Sequence, residues 1–250
     1  MPTVNVKILG VSGTVIKDGN CDTLVKEALK GAEEIGNAVG GGVETEFLPL
    51  ADKEIAMCEH CQWCIENRSP CKIQDDFYIL YEKLKQCDGF ILGAPAWFRT
   101  CAPKILVAWS RLRYSVFFSH ELRNKPGGAV SVGFFGFGLE HTLDVLQGLA
   151  NIGEMYVGGA SALASTAAFG ERPAYMENGV LDDIQGIRRV KLVGMKVAEV
   201  ARMIKFATEN GCVLPDEYRL RTRFGAKVRV TAEDRSEMEL VDGVWRKKKK

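Results

Sequence analysis

The chain has 250 residues, 46% apolar and 26% charged, with a formal net charge of +1, enough to bury one large core or two small ones. Its longest uncharged stretch, the 16 residues between Glu154 and Glu171, is rich in Ala, Gly and Ser and falls short of the roughly 20 apolar residues of a membrane span. The last five residues, Arg246 to Lys250, are all basic; the remainder is therefore acidic, which argues against a nucleic-acid-binding face and reads the tail as a solvated, disordered end.

Val4 to Val11 alternates and ends in Gly10-Val11-Ser12-Gly13-Thr14. After Gly19-Asn20, the residues Leu24, Val25, Ala28, Leu29, Ala32 and Ile35 recur at helical spacing, giving strand, loop, helix. Gly40 to Gly42 stop that helix, Val43 to Leu48 form a second strand, and a cysteine-bearing loop runs from Asp52 to Gln74. Phe77, Leu80, Tyr81 and Leu84 mark a helix ending near Cys87, Gly89 to Ala94 a buried strand stopped by Pro95, and Ile105, Leu106, Trp109 and Leu112 the next helix. Gly128 to Phe135 is a fourth strand, Leu139, Leu143, Leu146 and Leu149 a helix, Met155 to Leu163 a fifth strand, and Val190, Val193, Val197, Val200 and Ile204 a long final helix. Strands alternating with helices predict an α/β fold, a doubly wound five-stranded parallel sheet of flavodoxin-like order 2-1-3-4-5, over residues 1–210. Residues 211–250 read as a C-terminal extension, with Val228 to Val230 and Met238 to Val241 as a hairpin.

In that order, ligands bind beyond the carboxyl ends of strands one and three. The loop after strand one offers close backbone approach, hydroxyls at Ser12, Thr14 and Thr23, and a helix start that attracts anions. It is neither a Walker A loop nor GxGxxG, which disfavours a nucleoside triphosphate or an ordinary NAD site. Pro95-Ala96-Trp97-Phe98 places aromatics past strand three, and Gly133-Phe134-Phe135-Gly136-Phe137-Gly138 follows strand four on the same edge.

Met1-Pro2-Thr3-Val4 lacks the start of a signal peptide, so a cytoplasmic protein is expected, where eight cysteines argue for metal or redox chemistry rather than disulfides. Four lie within 14 residues: Cys58, Cys61, Cys64 and, after Pro70, Cys71. Three at two-residue gaps present thiolates to one side of a cubane, and Cys71 closes the fourth corner of one 4Fe-4S cluster. Zinc, which favours widely separated C-x2-C pairs, and an unmetallated loop are the alternatives. His60 and Trp63 sit in the gaps as shields or hydrogen-bonding neighbours; Cys87 and Cys101 read as small buried hydrophobes. No carboxylate pair or His-based triad suggests a catalytic side chain.

The first loop with Gly19-Asn20-Cys21-Asp22-Thr23-Leu24, together with Gly93-Ala94-Pro95-Ala96-Trp97-Phe98, resembles the NAD(P)H-dependent FMN reductase family of flavodoxin-like proteins. With the four cysteines and Asp75-Asp76 after them, the chain most resembles the iron-sulfur flavoproteins within it, over roughly Val4 to Asn210. The resemblance implies that Ser12, Thr14, Asn20, Cys21, Asp22 and Thr23 surround the FMN phosphate, that Pro95, Ala96, Trp97 and Phe98 line the isoalloxazine, and that Gly136 and Gly138 lie near its other edge. Ile16 stands where the family often has a phosphate-binding Arg, with Lys17 as the nearby substitute; Cys21 replaces a frequent Thr, and Ser110-Arg111 the usual Asp-Arg.

The expected function is an FMN-dependent oxidoreductase that takes electrons from a ferredoxin-like carrier and passes them to a small-molecule acceptor. NAD(P)H is a second candidate donor, and the resemblance implies a homo-oligomer. Two alternatives are a cluster-free NAD(P)H-dependent FMN or quinone reductase, and a non-enzymatic redox-sensing or scaffold protein.

Overall fold

The computed structural model describes residues 4–166, 176–212, 238–241 and 244–247. The chain divides into two units, Met1–Phe206 and Ala207–Lys250.

The first unit is built on strands β1 (Val6–Ser12), β2 (Val43–Pro49), β3 (Gly89–Trp97), β5 (Pro126–Gly133) and β6 (Met155–Leu163), which pair in parallel in the order β2-β1-β3-β5-β6. A two-residue strand, β4 (Thr100–Cys101), folds back antiparallel on β3. This is the expected five-strand order with a short hairpin added.

Helices cover both faces: α1 (Asn20–Ala38), α2 (Trp63–Glu66), α3 (Phe77–Gln86), α4 (Pro103–Trp109), α5 (Leu139–Ala150) and α6 (Ile184–Glu209). Successive strand residues point to opposite faces. Ile8, Ile91 and Val130 therefore pack with α1 and α6, whereas Leu9, Phe90, Leu92 and Ala129 pack with α3, α4 and α5. Burial on both faces explains why β3 reads as a continuous apolar run rather than an alternation. α1 and α6 cross closely: a Cβ on Gly194 would fall 1.7 Å from the Ala28 carbonyl oxygen, so the packing requires glycine there.

The structure departs from expectation at the end of β3 and at the basic tail. β3 does not stop at Pro95 but continues to Trp97, because Pro95 needs no amide donor there: it lies opposite Val132 of β5, and its carbonyl accepts the Ala102 amide at 3.0 Å. In the extension, β7 (Met238–Val241) pairs with β8 (Val244–Lys247); Val228 to Val230, the other strand of the expected hairpin, lie outside the described residues. Arg246 and Lys247 are thus strand residues rather than part of a disordered end; Lys248 to Lys250 also lie outside the described residues. Among the described residues, no helix is long and apolar enough to cross a membrane.

Candidate functional site

The carboxyl ends of β1, β3 and β5 open into a cleft of about 210 Å3. Thr14, Ile16, Gly19, Asn20 and Cys21 form one wall, and Pro95, Ala96 and Trp97 a second. Val132, Gly133 and Phe134, with Ala164 and Thr166 beyond β6, form the third. α1 starts after Gly19 with no side chain capping it, which leaves the amides of its first turn to an anion. The Gly13 amide donates to the Gly93 carbonyl at 2.7 Å, and a Cβ at Gly13 would meet Ile105 Cβ at 2.5 Å; glycine lets the loop lie against β3 and α4. Thr14 Oγ1 accepts the Ile16 amide at 3.1 Å.

Several side chains of this loop are spent on architecture. Asn20 Nδ2 donates to the Met176 carbonyl at 3.0 Å while its Oδ1 accepts the Val180 amide at 2.8 Å, and Thr23 Oγ1 bonds Asn178 Oδ1 at 3.0 Å. The pair clamps the 176–180 segment, which is also paired with Ser165, over the start of α1. The Ser12 hydroxyl donates to Cys21 Sγ at 3.3 Å. Burial pushes the Cys21 thiol up to about 12, so it walls the cleft as a neutral thiol and not as a nucleophile. Burial also pushes the Asp22 carboxyl upward, against the pull of the Ser12 hydroxyl and the Asp18 amide, which donates to Asp22 Oδ2 at 2.8 Å.

Phe98 and Arg99 are the two turn residues between β3 and β4, with φ of 45° and 70°. A two-residue hairpin turn of this hand usually takes Asn-Gly, so a strained backbone stands at the cleft's edge. Phe98 is fully exposed at the turn tip and does not line the cleft. Gly138 (φ 83°) approaches so near that a Cβ would meet Arg99 Cα at 2.5 Å; it seats α5 against the hairpin. Ser12, Asp22, Thr23 and Gly136 also lie outside the cleft's lining, as does exposed Lys17, whereas Ile16 lines it.

The second feature is the cysteine loop. Cys58, Cys61, Cys64 and Cys71 line one small cavity together with Arg111 and Arg113, and this cavity shares no residue with the cleft. The His60 amide donates to Cys58 Sγ at 3.4 Å. Burial and the neighbouring cysteines push the Cys64 thiol up, and Arg113 opposes them. His60, Gln62 and Arg68 all have positive φ, strain held within a segment of nine residues. Among the described residues, no three His, Cys, Asp or Glu side chains are placed to hold a single metal ion.

The loop is fastened at both ends by one buried cation. Arg111 Nη1 bonds Asp75 Oδ1 at 2.7 Å and the Ala56 carbonyl at 3.3 Å, while Nη2 bonds the Ile73 carbonyl at 2.6 Å. Asp75 Oδ2 accepts the Ala56 amide at 2.8 Å, Asp76 Oδ2 the Glu54 amide at 2.8 Å, Ser110 Oγ the Cys58 amide at 3.3 Å, and Tyr78 donates to the Cys71 carbonyl. Replacing one partner of a buried pair strands the other, so Arg111→Met should lower stability by about 3 kcal/mol in urea unfolding. Burial would raise the Asp75 carboxyl, but the Ala56 amide, Arg111 and the Phe77 amide hold it below the usual carboxylate range. The pair's contribution is therefore complete above the unfolded-state value and lost as pH falls through the lower folded-state value. The stability gap between wild type and Arg111→Met should narrow in acid.

Residues 6–169 match the family described as NADPH-dependent FMN reductase. The chain belongs to that family. An iron-sulfur flavoprotein of Methanocaldococcus jannaschii is 37% identical over 205 residues, covering 80% of this chain and 100% of that protein. One from Methanosarcina thermophila is 27% identical over 201 residues, covering 80% and 97%. RosB, solved with bound 8-demethyl-8-formylriboflavin-5'-phosphate, superposes with a TM-score of 0.60 at 18% identity over 91% of this chain and 92% of that one. That likeness shows the fold. A flavin-dependent oxidoreductase of the FMN reductase family thus carries the cleft at the expected strand ends. Sequence reasoning missed Val132, Ala164 and Thr166 as cleft residues; Ile16, Gly19, Gly133 and Phe134 lie in loops it placed at this edge without assigning them to the site.

Proposed function

We propose that this chain is an iron-sulfur flavoprotein in which the cleft binds FMN and Cys58, Cys61, Cys64 and Cys71 hold one 4Fe-4S cluster, passing electrons from a ferredoxin-like carrier to a small-molecule acceptor. The observation that carries the reading is that all four cysteines line one cavity. A cubane takes its four thiolates at separate irons, so the arrangement need not gather three of them on one ion. FMN exchanges one or two electrons and a cluster one, so the two cofactors join one-electron and two-electron chemistry.

The residues fit FMN in kind. The uncapped first turn of α1 suits its phosphate, and the Pro95-to-Trp97 and Val132-to-Phe134 walls suit a planar ring. Phosphate recognition then rests on backbone amides, since Ile16 supplies no charge and Lys17 stands outside the cleft. The four cysteines supply thiolates, and the His60 amide at Cys58 supplies a hydrogen bond of the kind that stabilises a coordinated sulfur.

Anaerobic stopped-flow mixing with reduced ferredoxin should bleach the flavin and iron-sulfur absorbance within one turnover, faster than NADPH does. The family's description favours a second reading, direct reduction of FMN by NADPH with the cysteine loop structural. Rapid reduction by NADPH in iron-free protein, with no response to ferredoxin, would select it. The homo-oligomer is proposed on the resemblance alone, and sedimentation velocity tests it.

A further inference from the structure

The cavity bounded by the four cysteines has three cationic residues in its lining, Lys72, Arg111 and Arg113. Two are matched by carboxylates: Arg111 by Asp75 at 2.5 Å, and Lys72, loosely, by Glu59 at 4.0 Å. Arg113 makes no ion pair among the described residues; its Nη2 donates instead to Gln62 Oε1 at 3.2 Å, which aims the guanidinium without neutralising it. Gln62 lies between Cys61 and Trp63, so the hydrogen bond ties this charge to the loop that carries the cysteines.

We propose that Arg113 is an electrostatic positioning residue, whose unpaired charge, aimed by Gln62, offsets the negative charge gathered by four thiolates and raises the reduction potential of the cluster they hold. The inference rests on the iron-sulfur reading given above. Four thiolates and a cubane carry net negative charge, and adding an electron increases it. A fixed cation at a half-buried site, where screening is weaker than in water, favours the reduced form. Arg111 cannot serve in the same way, because the Asp75 carboxylate cancels its charge.

The test is a redox titration of anaerobically purified protein followed by electron paramagnetic resonance. Arg113→Gln should lower the midpoint potential, and Arg113→Lys, which keeps the charge, should stay close to wild type. Should Arg113→Gln take up no iron, Gln62→Glu provides the same neutralisation by pairing with the guanidinium, and it must also lower the potential. An unchanged potential in the iron-loaded Gln variant, or in Gln62→Glu where that substitutes for it, would overturn the role of Arg113. Wild-type protein without iron would instead overturn the iron-sulfur reading.

Discussion

Cys58→Ala, Cys61→Ala and Cys64→Ala should each lose their iron, falling from about four per chain, the content of one cubane, to below one, while FMN remains bound. The separation follows from the fold. The cysteine loop is fastened by Arg111, Asp75, Asp76 and Ser110, whereas the cleft is built from the ends of β1, β3 and β5 and shares no lining residue with the cysteine cavity. None of the three thiols is fully buried, so their removal leaves the core intact. Iron assay and flavin absorbance on the same purified sample decide the matter. Iron retained in all three variants would remove these cysteines as ligands, and FMN lost together with iron would show that the two sites are not independent.

Ala96→Trp should weaken FMN binding at least a hundredfold, equivalent to about 3 kcal/mol, and leave the sheet folded. Ala96 lines the cleft near the end of β3 and belongs to neither core cluster, so an indole there fills the ligand space rather than the interior. Asn20→Ala acts on the same cleft indirectly. It removes the two hydrogen bonds to Met176 and Val180, releases one wall, and should weaken FMN by about tenfold, the effect of one to two net hydrogen bonds. Flavin fluorescence titration, with circular dichroism as the control for folding, measures both. Undiminished affinity in Ala96→Trp would place FMN elsewhere.

What the sequence made legible was whatever depends on local pattern. The buried run Gly89 to Ala94, the helical spacing of Leu24 to Ile35 and the glycines around Ser12 each announce their element, and their alternation implies a parallel sheet that the order 2-1-3-4-5 fits. Interactions across long separations left no local trace. Asn20 reaches residues 156 and 160 positions away, and its polar side chain beside the anion-binding turn reads equally well as a ligand contact. Arg111 and Asp75 are 36 residues apart, but there a signal existed: Arg111 falls three residues after Ala108, between the apolar Trp109 and Leu112 and just past the end of α4, and a charge buried there must be paired. The C-terminal hairpin was also readable. Asp242-Gly243, between Met238 to Val241 and Val244-Trp245, is a strong two-residue turn signal.

The most direct measurement is the content of iron, acid-labile sulfide and FMN per chain in protein purified without oxygen. Such protein should hold about four irons, about four sulfides and one FMN per chain, with a brown colour that fades on reduction. Yellow protein with one FMN and neither iron nor sulfide, even after anaerobic reconstitution, would contradict the iron-sulfur reading.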